Sequence, residues 1–133
     1  MRFLLDTCVI SDFARGHPRT LQRITAAAPE DLAASTITQM EIAYGLLLNP
    51  ALARQLQLVM DALFGSIRVL AYGEEAAAAT AMARAGLKRR GRPIGAFDIL
   101  IAGTALAHDL TLVTANVREL RQVEGLRIED WRS

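Results

Sequence analysis

Short apolar runs alternate along this chain with longer stretches of helical character, and that alternation restricts the fold more than any other feature. Arg2–Leu5, Leu32–Ser35, Ile67–Leu70, Thr111–Thr114 and Leu126–Ile128 read as strands, the last of them edge-like. Between them the sequence predicts helices over Val9–Ala14, Arg19–Ala28, Thr38–Leu48, Ala51–Phe64, Glu74–Lys88, Ala96–His108 and Val117–Gln122. Gly16-His17-Pro18, Pro29, Asn49-Pro50 and Gly65-Ser66 punctuate them. Strands that alternate with helices imply an α/β sandwich around a mostly parallel sheet. The helix from Ala96 is apolar almost all round, which places it centrally. With 133 residues, 52% of them apolar, the chain suits one domain (1–133) with a sizeable core.

The charge balance excludes whole classes of function. Fifteen Lys and Arg face fourteen Asp and Glu, for a net charge of +1, so bulk charge does not coat this protein onto nucleic acid. Local patches remain open. All the cations but Lys88 are Arg, which fits phosphate or interface contacts, though for most of them a simple genomic bias is the first reading. A single cysteine, Cys8, permits neither an internal disulfide nor a Cys-rich zinc site. No secretory leader and no apolar run of membrane-spanning length is visible, so the expectation is a cytoplasmic protein without a membrane partner.

In an open α/β sheet, ligands bind at the carboxyl ends of the strands. Asp6 follows the first strand, Glu41 lies in the first turn after the second, Asp98 opens the central helix, and Asn116 follows the fourth strand. Each has an ordinary structural use: Glu41 in a capping box with Thr38, Asp98 at a helix dipole, Asp6 as a turn or cap residue. Their joint placement suggests something else. Carboxylates gathered at one edge repel, and a divalent cation removes that cost. Oxygen ligands suit Mg²⁺ or Mn²⁺, which can activate water against a phosphodiester.

Leu4-Leu5-Asp6-Thr7-Cys8-Val9-Ile10-Ser11, Thr38-Gln39-Met40-Glu41-Ile42-Ala43-Tyr44-Gly45, Ile94-Gly95-Ala96-Phe97-Asp98-Ile99-Leu100-Ile101-Ala102 and Leu112-Val113-Thr114-Ala115-Asn116 together resemble the PIN domain, within it the VapC-type toxins and the FitB-like group. The likeness spans essentially the whole chain, in order. It implies a three-layer α/β/α sandwich and a metal-dependent endoribonuclease, the toxin of a toxin–antitoxin pair. It also implies catalysis and metal ligation by Asp6, Glu41 and Asp98, a homodimer, and an antitoxin partner that blocks the acids with a basic side chain. Where many members carry a fourth acid this chain has Asn116, which ligates weakly or orients water. Glu119, one helical turn on, is a further candidate.

Thr7, Ser11 and Thr114 are candidates to orient the carboxylates or the attacking water, or they make ordinary turn bonds. Lys88, Arg89, Arg90 and Arg92 either guide RNA toward Asp98 or form a solvated helix end. Aromatics at 5% argue against base stacking as the main mode of binding. His17 and His108 read as cap or surface residues, which disfavours a histidine-based ribonuclease. The apolar face around Tyr44, Leu47, Leu48, Leu56 and Phe64 reads as core, with a dimer or antitoxin surface as the alternative. Trp131 anchors the last strand or joins an interface. Competing readings are a phospho-acceptor Mg²⁺-binding module, a non-catalytic module with a decayed site, and a DNA-directed nuclease.

Overall fold

Phe3 and Leu5 face one side of the sheet and Leu4 the other, and all three are buried. A strand covered on both faces needs helices above and below it. The computed structural model, which describes residues 1–132, has that arrangement. The strands are β1 (Phe3–Leu5), β2 (Leu32–Ser35), β3 (Arg68–Leu70), β4 (Thr111–Val113) and β5 (Ile128–Glu129). The helices are α1 (Thr7–Ala14), α2 (Pro18–Ala26), α3 (Thr36–Leu48), α4 (Pro50–Ser66), α5 (Glu74–Arg89), α6 (Ala96–Ala107) and α7 (Val117–Leu120).

The sheet order is β3-β2-β1-β4-β5, and every pairing is parallel, β5 included. Parallel register puts the carboxyl ends of all five strands along one edge. Residues of α1 to α4 pack with Phe3, Leu5, Leu32, Ala34 and Val113 on one face. Leu87 of α5 and Ile99, Ile101, Ala102 and Ala105 of α6 pack with Leu4, Ala33, Leu70 and Leu112 on the other. The three-layer α/β/α sandwich is thus the observed fold.

Several boundaries differ from expectation for local reasons. α3 begins at Thr36, because Ser35 at the end of β2 is already extended and its hydroxyl accepts from Thr38 N at 3.1 Å. Ser35 is therefore the cap, Thr38 is buried inside the helix, and Glu41 lies in the second turn rather than closing a capping box. α4 runs through Gly65-Ser66, since one helical Gly costs only about 1 kcal/mol and the Ser66 hydroxyl bonds back to Ala62 O. Tyr44, Leu47 and Leu48 are exposed rather than core, whereas Leu56 and Phe64 do pack against it. Trp131 is buried edge-on against Phe3, with ring centroids 5.1 Å apart, and Arg132 forks onto Asp12 of α1.

The position of α6 depends on one close approach to α5. A Cβ built on Gly103 would stand 2.9 Å from Thr80 Cβ and 3.0 Å from Ala76 O, and it would collide with Thr80 Oγ1. Only a hydrogen fits there. Gly103→Ala is expected to lower unfolding stability in urea by about 1–3 kcal/mol through overpacking, despite the better helix propensity of Ala. Unchanged stability would show that the two helices are free to separate.

Candidate active site

The strand order reverses between β1 and β4. From β1 the chain moves outward through β2 to β3, then returns to β4 on the other side. Connections that leave in opposite directions open a crevice at the carboxyl ends of the two strands. Asp6 is the first residue beyond β1 and Thr114 the first beyond β4. The backbone ties them together, since Asp6 N donates to Val113 O at 2.9 Å.

The Asp6 carboxylate is buried and held at both oxygens. Oδ1 accepts from Thr7 N at 2.8 Å, and Oδ2 accepts from Thr114 Oγ1 at 2.7 Å. Asp6 therefore does cap α1, and it also faces the crevice partners; the structural and functional uses coexist. From Asp6 the contacts run both ways. Thr7 Oγ1 donates to Glu41 Oε1 at 2.6 Å and lies 3.1 Å from Thr38 Oγ1. Thr114 Oγ1 accepts from Asn116 N at 3.0 Å. The Asn116 amide then donates one hydrogen to Asp98 Oδ2 at 3.0 Å and the other to Glu119 Oε2 at 2.8 Å. Glu41, Asp6, Asp98 and Glu119 thus lie along one chain of contacts through Thr7, Thr114 and Asn116.

These connectors are neutral. Among the described residues the ion pairs are Arg23–Glu129, Arg127–Asp109 and Arg132–Asp12, and none includes an acid of the crevice. Among the described residues no Lys or Arg forms an ion pair with the four acids, although the sequence holds fourteen Arg. The cost falls on Asp98. Burial, first, and the charge of Asp6, second, push its carboxyl above the ordinary range; the Asn116 bond pulls it back, and Glu41 and Glu119 add to the rise.

Among the described residues no three Asp, Glu, His or Cys side chains already close on a common point as a metal cage. A hard cation does not require one. Mg²⁺ commonly takes one or two protein carboxylates and keeps several waters. The donor set is all oxygen and lacks a counter-charge, so its chemistry fits such an ion.

The remaining candidates divide. The Ser11 hydroxyl, one turn beyond Thr7, makes no hydrogen bond to any of these acids. Lys88 and Arg89 end α5, Arg92 lies in the following loop, and all three are exposed. Arg90 instead donates to Gln122 O, which ties α5 to the segment after α7. Two contributors were not legible as such. Thr38 reads as a cap in sequence but meets Thr7, and its spacing of three from Glu41, which puts both on one helix face, was the available signal. Cys8 Sγ donates to Asp6 Oδ2 at 3.6 Å. Burial and the Asp6 charge raise its pKa to about 11, so it stays a thiol and is a poor nucleophile. His17 Nδ1 accepts from Thr20 N as a helix cap. His108 caps the far end of α6, about 15 Å from Asp98 along the helix axis.

Comparison with known proteins agrees with this fold. Residues 3–126 match the PIN domain family. The tRNA(fMet)-specific endonuclease VapC of Shigella flexneri is 37% identical over 98% of both chains. The solved structure of DNA-bound VapBC from Salmonella typhimurium matches with a TM-score of 0.90 and 35% identity over 98% of each chain. FitAcB from Neisseria gonorrhoeae matches with a TM-score of 0.85 and 28% identity over 96% of each.

The electrostatic strain is testable without any substrate. A carboxyl raised on folding carries no penalty below its ordinary, unfolded pKa and the full penalty above its folded pKa. Asp98→Asn should therefore raise the calorimetric Tm of the metal-free chain at neutral pH, with the gain fading as pH falls through the raised pKa and gone once pH lies below the ordinary carboxylate range. A gain independent of pH would mean that ionisation of Asp98 costs the fold nothing.

Proposed function

The chain belongs to the PIN domain family, and from that premise we propose that it is an endoribonuclease toxin of a toxin–antitoxin pair, dependent on Mg²⁺ or Mn²⁺. The observation that carries this reading is the set of carboxylates at the β1/β4 crevice, fixed by neutral donors and left without a cationic side chain. The names of its relatives, ribonucleases and endonucleases of the VapC group, support RNA as the substrate class. The tRNA named for the Shigella and Salmonella relatives is the first substrate to try.

Asp6, Asp98 and Glu41 would hold the ion in this reading, with Glu119 beside them through the Asn116 amide. When bound, the ion supplies a water of lowered pKa and offsets the charge that develops on the phosphoryl oxygens. The chain's own residues do the positioning. Thr7 N fixes Asp6 Oδ1, while Thr114 Oγ1 and the Cys8 thiol fix Oδ2, so the free lone pair is on Oδ1. Thr7 Oγ1 fixes Glu41, so one threonine sets the spacing between two acids. Asn116 restrains Asp98 and Glu119 together. Lys88, Arg89, Arg90 and Arg92, just before α6, attract the phosphate backbone toward Asp98. No thiol or imidazole route competes, given the protonated Cys8 and the capping roles of His17 and His108.

The partners in this reading are the RNA, a second copy in a homodimer, and an antitoxin that sets a basic side chain among the acids. The solved VapBC and FitAB complexes support an antitoxin. No helix among the described residues is long and apolar enough to cross a membrane.

Asp6→Asn should reduce Mg²⁺- or Mn²⁺-dependent cleavage of tRNA by at least a hundredfold while circular dichroism stays native. Full activity in that variant removes the catalytic assignment. Asn116→Asp exchanges a bridging donor for a fifth carboxylate, so it should tighten Mn²⁺ binding in isothermal titration. Equal Mn²⁺ affinity in the two proteins would place residue 116 outside the reach of the ion.

A further inference from the structure

The hydroxyl of Thr7 has two oxygens within reach and one hydrogen to give. Glu41 Oε1 lies 2.6 Å away and Thr38 Oγ1 lies 3.1 Å away. An ionised carboxylate only accepts, and the charge-assisted bond is the shorter and stronger of the two. The Thr7 hydrogen therefore belongs to Glu41. The contact with Thr38 must then draw its hydrogen from Thr38, so Thr38 donates and Thr7 accepts. Donation runs one way, from Thr38 through Thr7 to Glu41.

Thr38 is fully buried, and Thr7 is the only hydrogen-bond partner of its hydroxyl among the described residues. Its backbone is tied to the end of β2, because Thr38 N donates to Ser35 Oγ at 3.1 Å. Thr38 and Glu41 stand three apart on one face of α3, and Thr7 meets both from the first turn of α1. Thr7 also gives its N–H to Asp6 Oδ1 at 2.8 Å. Two acids of the crevice thus each take a hydrogen from Thr7, and Thr38 holds Thr7 by its oxygen.

A hydroxyl enclosed by protein is costly unless it is paired, and valine has nearly the same shape without one. Packing alone at this helix position would be served by valine, so the use of the hydroxyl lies in its contact with Thr7. Glu41 needs the restraint. Its side chain is half-buried, and Thr7 Oγ1 is its one hydrogen-bond partner among the described residues. A glutamate released from such a contact regains rotamer freedom and turns into water. We infer that Thr38 is a positioning residue: its donation commits the single Thr7 hydrogen to Glu41, and so fixes the spacing of Glu41 and Asp6 at which a divalent cation is held. This inference rests on the metal-dependent reading above and adds a residue that acts on the ion only through Thr7.

The test uses the full chain and isothermal titration with Mn²⁺ alone, followed by Mn²⁺-dependent cleavage of tRNA. Thr38→Val keeps the shape and removes the donor. It should weaken Mn²⁺ binding about three- to tenfold with little change in calorimetric Tm, while Thr38→Ser binds as the parent does. In cleavage at limiting Mn²⁺ the loss should fall on kcat and spare KM for the tRNA. Adding Thr38→Val to a Thr7→Val chain should cost no further Mn²⁺ affinity, because the route through Thr7 is already cut. Should Thr38→Val fail to fold, Thr38→Ser against Thr38→Ala tests the same donor, and only Ser should match the parent. The role is overturned if Thr38→Val binds Mn²⁺ as the parent does, or if Ser and Ala bind it alike. It is also overturned if the loss in Thr38→Val persists in full in the Thr7→Val chain, which makes Thr38 a packing residue. If the folded, unsubstituted chain binds no Mn²⁺, the metal-dependent reading itself fails and this role with it; Mn²⁺ binding indifferent to residue 38 removes the role alone.

Discussion

Everything at the crevice depends on how one buried carboxylate is held. Asp6 receives a backbone N–H on one oxygen and the Thr114 hydroxyl on the other. Those two donors come from the ends of adjacent strands whose register is set by the sheet. A buried charge satisfied by dipoles alone is tolerated but remains a charge. Had an arginine been supplied instead, Asp6 would be an ordinary internal ion pair and the crevice would lose one of its four negative charges. The threonines are what allow it to be both stable and negative.

The same logic extends outward. Thr7 serves the cap of α1 through its backbone and Glu41 through its hydroxyl, so the entry of one helix sets the distance to another. Asn116 does the equivalent work on the far side, and it does so with a residue that cannot itself ionise. Behind these contacts, the hydrogen-only gap at Gly103 lets α5 and α6 meet closely, and α6 presents Asp98 at its first turn. Packing on one face of the sheet thus supports chemistry at its edge.

Much of this was legible in the sequence. The five strands, the seven helices and the placement of Asp6, Glu41, Asp98 and Asn116 at one edge follow from periodicity and from the rule for parallel sheets. What was not legible has a common cause, namely tertiary choice among equivalent local options. Both Ser35 and Thr38 are good caps, and the end of β2 decided for Ser35. Tyr44, Leu47 and Leu48 look like core because α3 is apolar nearly all round, yet only the face with Ile42 and Leu46 meets the sheet. The edge strand β5, two residues long, formed slightly later than its apolar letters suggested, because its pairing with Leu112 and Val113 fixes it at Ile128–Glu129.

The neutral scaffolding around the acids has a wider consequence. A pocket built this way carries its repulsion in every state of the protein, and it makes no distinction among the positive groups able to relieve it. A free divalent ion and an ammonium or guanidinium group from another macromolecule answer the same electrostatic demand. Occupancy by one must then weaken the other by an equal free energy, so switching such a protein on and silencing it are two outcomes of a single competition, whose balance shifts with the ambient supply of the ion.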